Sequence, residues 1–130
     1  MKEMEQKLIE EMELKLNELF RKLLRKCEGV AYVRISDIEE IDIPIRMHNE
    51  EEFAMLKESI KTNGILQPLI LIEKKKRDGF ILVDGRGRLK AAKELGLKEV
   101  PALIYSYHEE YDDESRKEEA RYLALMLNAF

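Results

Sequence analysis

Val83-Asp84-Gly85-Arg86-Gly87-Arg88-Leu89-Lys90-Ala91-Ala92-Lys93 decides how this chain is read. The apolar run Phe80–Val83 before it has the character of a strand and stops at an acid. Two glycines then alternate with two arginines, and an Ala/Lys/Leu stretch of helix formers follows. Strand, glycine turn and basic helix start together build an anion pocket. Glycines let backbone N–H groups turn toward a ligand, and the helix N-terminus adds partial positive charge. Arginine offers a forked donor to phosphate oxygens. Gly85, Arg86, Gly87, Arg88 and Lys90 are therefore the candidate phosphate-binding residues, against the plainer reading of a tight turn with solvated arginines.

Working outward, Leu69–Ile72 is a near-continuous apolar run, which predicts a strand buried on both faces. Lys74–Gly79 is a charged hairpin turn leading into Phe80–Val83. The helix opened at about Arg86 is predicted to end at Gly96, with a strand at Val100–Tyr105 and a last helix from Glu114 to about Asn128. Upstream, Asn49 is an N-cap for an acidic-started helix ending at Asn63, with Gly64 as its terminator. Ile41–Ile45 is extended, and Val30–Ile35 reads as a strand. Over residues 2–27, Met4, Leu8, Met12, Leu16, Leu19, Phe20, Leu23 and Cys27 recur at spacings of three and four, which predicts one long amphipathic helix ended by Gly29. Such a helix packs on its own domain or serves as a homodimer contact. The expected fold class is α/β (α+β): a small mixed sheet with packed helices, preceded by a long amphipathic N-terminal helix. The expected division is residues 1–28 for that helix and 29–130 for the domain.

Composition narrows the function. The chain has 130 residues, 45% hydrophobic and 38% charged, with net charge −4, one Cys and no Trp. The Lys/Glu-rich balance leans toward a thermophile. The net charge argues against a general nucleic-acid coat, but it hides an asymmetry. Lys74 to Lys93 holds eight bases against two acids, whereas Tyr107 onward holds seven acids against three bases. One basic patch on an acidic body fits a specific anion site. Within it, Lys74, Lys75, Lys76 and Arg77 read first as a solvated hairpin tip and alternatively as a DNA or RNA backbone contact. A lone Cys27 on a helix face reads as an inert thiol, and without Cys/His clusters no metal site is expected. No long apolar run or secretory signal exists, so no membrane partner and a cytoplasmic location are expected. Asp84 reads as a helix N-cap before it reads as a catalytic acid, and Glu50–Glu52 as first-turn acids. His48 reads as an exposed loop residue, and Tyr105, Tyr107 and Tyr111 as packing.

Three blocks resemble the ParB N-terminal-domain and sulfiredoxin superfamily. Leu56-Lys57-Glu58-Ser59-Ile60-Lys61-Thr62-Asn63-Gly64-Ile65-Leu66-Gln67-Pro68-Leu69 is similar to the family's L-x-x-S-I-x-x-x-G-I-x-Q-P-L. Asp84–Gly96 is similar to G-E-R-R-x-R-A-A-x-x-x-G, and Val100-Pro101-Ala102 follows in the same order. The resemblance implies a nucleotide ligand, CTP or ATP/ADP with Mg²⁺, and adds Gln67, Pro68, Arg46 and Asn128 to the site. It also implies association with DNA in chromosome or plasmid partition and a partition ATPase as partner. The family's Glu-Arg pair is Arg86-Gly87 here, which implies weak or absent hydrolysis. ParB's DNA-reading domain would follow where this chain stops, so a stand-alone module is expected.

Other branches imply other chemistry. Sulfiredoxin's G-G-C-H-R carries a reactive cysteine where Arg86 stands, so that activity is not expected. An archaeal branch holds a free-serine kinase with D-G-H-H-R; Asp84, Gly85 and Arg88 remain and both histidines are gone. Its H-E-E segment is similar to His48-Asn49-Glu50-Glu51 with one residue displaced. The alternatives carried forward are a small-molecule kinase or nuclease using Asp84 and Glu50, and direct nucleic-acid binding through the 74–93 patch.

Overall fold

The computed structural model describes residues 2–44 and 48–128, with side chains at all of these except 13 and 15–28. Helix α1 (Lys2–Leu23) leads into strand β1 (Leu24–Arg34), a short 3₁₀ turn (Ile35–Asp37) and strand β2 (Ile38–Glu39). Helix α2 (Glu50–Asn63), strands β3 (Leu69–Glu73) and β4 (Phe80–Asp84), helix α3 (Arg86–Glu94), strand β5 (Glu99–Tyr107) and helix α4 (Asp113–Leu127) complete the chain. The sheet order is β1-β5-β3-β4-β2. β1 runs antiparallel to β5, β3 parallel to β5, β4 antiparallel to β3, and β2 parallel to β4. The sheet is thus mixed, as the α/β reading expects.

Two layers of helix cover the sheet because its central strands are apolar on both sides. Ile72, Ile81 and Val83 face Ala120 and Leu123 of α4. Leu69, Leu71 and Leu82 face Leu89 and Ala92 of α3. The two-residue period of the strands assigns alternate side chains to the two layers. α2 packs on α3 rather than directly on the sheet centre, so the α2–β3 turn is held beside the start of α3.

The N-terminal expectation fails at one end. The helix stops at Leu23 instead of running to Cys27, and the strand expected from Val30 begins at Leu24. Leu-Arg-Lys-Cys is a good helix sequence, but β5 presents a free edge, and Lys26 and Cys27 pair with Ser106 and Tyr105. Tertiary pairing overrides a weak local propensity. Cys27 therefore lies on a strand and not on a helix face. Gly29, expected to end the helix, has φ of 98° and sits in a register shift between Cys27 and Val30. It makes a bulge in β1. Of the extended 41–45 segment, Ile41 and Ile43 join the α4-side core, while pairing falls earlier, at Ile38–Glu39.

At the opposite end of α4 from its core contacts with Leu127, Arg116 is buried. It donates Nε–H to Tyr111 O at 3.0 Å, Nη1–H to Glu73 O at 2.8 Å and Nη2–H to His108 O at 3.2 Å. One side chain thus ties the helix start to the end of β3 and the 108–111 turn. Arg116→Met keeps much of the volume and removes the donors. We expect a loss of about 2 kcal/mol, from removal of charge-assisted bonds to buried carbonyls, read as a lower midpoint in urea denaturation.

Candidate functional site

The glycine-arginine stretch forms the junction of β4 and α3. Gly85 is the residue capping α3, with φ of 110°, and Leu89 N–H donates to Gly85 O at 2.8 Å to close the first turn. A Cβ on Gly85 would stand 2.7 Å from Leu69 Cγ and 3.3 Å from Leu69 Cβ. Both the backbone conformation and the close approach to β3 require glycine. Asp84, expected as the N-cap, is instead the last residue of β4, and α3 has no side-chain cap. Its carboxylate is turned to Arg88, whose Nη2 lies 3.3 Å from Asp84 Oδ2. The first N–H groups of α3 are left for water or an anion.

The two arginines do different work from solvated donors. Arg86 folds back onto its strand, donating Nη1–H to Val83 O at 2.8 Å and Nη2–H to Leu82 O at 3.4 Å. Arg88 donates Nη1–H to both Gln67 O, at 2.6 Å, and Pro68 O, at 2.7 Å. Burial pulls both guanidinium groups below their ordinary pKa, and the Asp84 carboxylate opposes it. Arginine stays charged through shifts of this kind. Arg88 is thus a bridge. It joins the β4–α3 junction to the turn before β3, twenty residues upstream, through main-chain carbonyls.

Beside that bridge lies a hollow of about 140 Å³, lined by Leu56, Ser59 and Ile60 of α2, the turn Gly64–Gln67, and Arg88. Leu66 and Met55 are strongly exposed nearby in sequence on the same elements. The hollow is mainly apolar in its lining residues, with Arg88 at one wall. Lys90, one turn along α3, places Nζ 4.6 Å from the Phe53 ring centroid on α2, a cation–π contact that packs the two helices together. His48 reaches the same junction. Its ring stands against Gly87, and its Nδ1 is 3.4 Å from Glu52 Oε2.

The remaining expected residues are dispersed. Glu50 and Glu51 are exposed in the first turn of α2, where Asn49 Oδ1 accepts Glu52 N–H at 2.8 Å. Asn128 donates its amide to Ala124 O at 2.7 Å, turned onto its own helix. Arg46 lies outside the described residues. In the hairpin, Arg77 Nε is 3.2 Å from Glu73 Oε1 and Lys74 Nζ is 3.4 Å from Glu39 Oε1. The Glu39 carboxyl is held below its ordinary pKa by Lys117 first and Lys74 after it. Two of the four hairpin cations are therefore matched by acids, while Lys75 and Lys76 stand exposed.

Residues 21–120 match the ParB N-terminal domain. The chain belongs to the ParB N-terminal domain family. Among its relatives, Stage 0 sporulation protein J of Bacillus subtilis is 39% identical over 90 residues, covering 68% of this chain and 31% of that protein. The chain therefore spans less than a third of that relative's length. Among solved structures, the C-terminally truncated chromosome-partitioning protein ParB of Caulobacter crescentus, complexed with CTP-γ-S, superposes with a TM-score of 0.60 at 26% identity. That match covers 78% of this chain and 53% of the ParB chain. Sulfiredoxin of Arabidopsis thaliana superposes with a TM-score of 0.54 at 20% identity, over 71% of this chain and 97% of that one. The sulfiredoxin likeness concerns the fold alone.

Within this ParB N-terminal domain, two of the three sequence blocks that carry the resemblance are the segments Arg88 bridges. His48, which the sequence presents as an exposed loop residue and as part of a segment similar to H-E-E, is the residue whose place at this junction motif reading did not give. Its signal was indirect: a glycine at position 87, inside a helix, with no turn to explain it.

Proposed function

We propose that this ParB N-terminal domain binds a nucleoside triphosphate of the cytidine or adenosine class. The phosphates lie at the start of α3 (Gly85–Arg88, with Lys90 beside it). The base lies in the hollow formed by α2 and the Gly64–Pro68 turn. The observation that carries this reading is the Arg88 bridge, which fixes the two segments relative to each other at 2.6–2.7 Å. A helix N-terminus beside an apolar hollow suits a ligand with one anionic and one flat apolar end. The CTP-γ-S held by the Caulobacter relative supports the cytidine option.

The role we assign is a nucleotide-responsive, DNA-associated module in partition, with weak or no hydrolysis. Asp84 is neutralised by Arg88, and Arg86 stands where the family pattern has an acid. Among the described residues no group of three His, Cys, Asp or Glu could hold a metal ion. A Mg²⁺ ion is then carried chiefly by the phosphates, as is common for this cation. Met4, Leu8, Ile9 and Leu14 stand exposed along α1. An apolar stripe left in water supports the reading of that helix as an arm for a homodimer or a partner.

Thermal denaturation with CTP, ATP, ADP and GTP, each with Mg²⁺, tests the reading. A nucleotide at about one hundred times its Kd stabilises the folded chain by about 2.7 kcal/mol, which raises Tm by roughly 10 °C. CTP or ATP is expected to give that rise. Unchanged midpoints with all four would refute nucleotide binding.

A further inference from the structure

Glycine at position 87 has no backbone reason to be there. It is the second residue of α3, in helical conformation, where glycine is a poorer helix former than alanine. The reason is spatial. A Cβ at this position would fall 2.9 Å from His48 Cδ2, 3.2 Å from His48 Nε2 and 3.3 Å from Leu56 Cδ2. Only a residue without a side chain lets the imidazole lie directly on the first turn of α3.

The ring is also oriented from its other side. Nδ1 faces Glu52 Oε2 at 3.4 Å, and Glu52 is itself placed by the Asn49 cap of α2. Glu52 thus directs the Nδ1 edge toward α2, and the Nε2 edge lies at the start of α3. That is where the helix offers partial positive charge but lacks a free arginine. Arg86 is bonded to strand carbonyls and Arg88 to turn carbonyls. His48 remains half exposed, so a ligand can reach it.

We propose that His48 is a phosphate-binding residue of the nucleotide site, seated by Gly87 and oriented by Glu52. This rests on the nucleotide reading above and names the side chain that meets the phosphates. The ring meets Glu52 through its Nδ1 edge and donates Nε2–H to a phosphate oxygen. Such a charge-assisted bond is stronger than a neutral one, and it adds to the backbone N–H groups of α3.

The test uses the full 130-residue chain. Wild type, His48→Ala, Gly87→Ala and the double variant His48→Ala/Gly87→Arg are titrated calorimetrically with CTP, ATP and inorganic tripolyphosphate, each with Mg²⁺. Cytidine and adenosine binding is followed by NMR shifts. His48→Ala is expected to weaken the triphosphate that wild type binds by roughly tenfold to a hundredfold, while nucleoside binding is unchanged. Tripolyphosphate should weaken in parallel. Gly87→Ala, which displaces the ring, should lose a similar factor, and the double variant should regain most of the loss, since an arginine at 87 then has room and charge. His48→Ala is half exposed and should fold normally, so the test does not depend on the Gly87 variants. Equal triphosphate affinity in wild type and His48→Ala overturns the role of His48 and leaves the nucleotide reading standing. So does an equal loss for nucleoside and triphosphate, which would make the ring a wall of the base pocket. A wild type that binds none of these ligands overturns both.

Discussion

Arg88→Ala is expected to lower stability by about 3 kcal/mol and to weaken nucleotide binding on the order of a hundredfold. The substitution removes the Nη1–H donor that the Gln67 and Pro68 carbonyls share. It also leaves the Asp84 carboxylate without its partner at 3.3 Å. Removing a charged donor from a partly buried carbonyl costs roughly 1.5–3 kcal/mol. The Asp84 contribution is smaller, because that side chain is 30% exposed and water screens it. The binding loss has a separate origin. Without the bridge, the Gly64–Pro68 turn and the start of α3 are no longer held in one register, so a ligand spanning both must order them itself. Thermal denaturation reads the first effect and calorimetric titration the second. Arg88→Lys separates charge from geometry, since an ammonium cannot hold the two carbonyls through one nitrogen and Asp84 through a second in a fixed plane. A lysine variant as stable and as avid as wild type would show that charge alone matters, and the bridge would fall as an explanation.

The second large effect is expected at Gly85. An alanine there pays twice. Its φ of 110° lies in the region that disfavours an L side chain, at about 1 kcal/mol. Its Cβ would press on the fully buried Leu69 at 2.7 Å, and relieving such overpacking costs about 1–3 kcal/mol more. We expect a total of about 3 kcal/mol in urea denaturation. Gly96→Ala is the matched control. Its φ of 74° is also positive, but nothing lies within 4 Å of its Cβ, so only the backbone part of about 1 kcal/mol should appear. Equal losses at the two positions would show that packing against Leu69 contributes nothing. Because Leu69 belongs to β3 and Gly85 joins β4 to α3, the same contact that carries stability also sets where α3 begins.

These two residues show what periodicity and motif reading can and cannot deliver. The strands β3 and β4 were legible because apolar runs bounded by a charged turn leave little choice of structure. α2 was legible from its Asn49 cap and its Gly64 end, which are local signals. The β1 boundary was not legible. Its helix-forming residues become strand only because β5 offers an edge to pair with, and that edge is about eighty residues away in sequence. Side-chain partners were least legible of all. An arginine in a glycine loop reads as a phosphate donor, and no spacing rule tells it apart from one bonded to carbonyls.

Read without coordinates, the chain already showed the mixed sheet with packed helices, the glycine junction at the start of α3 and membership in the ParB N-terminal domain family. Those rest on local preferences and short ordered motifs, which act within one element or one turn. It took the packed fold to show that Arg86 is turned onto Val83 and Leu82, that Arg88 bridges to Gln67 and Pro68, and that Gly87 makes room for His48. Each of the last two joins residues at least twenty positions apart. Their meeting depends on how α2 and α3 pack together on the sheet, which no single stretch of the chain encodes.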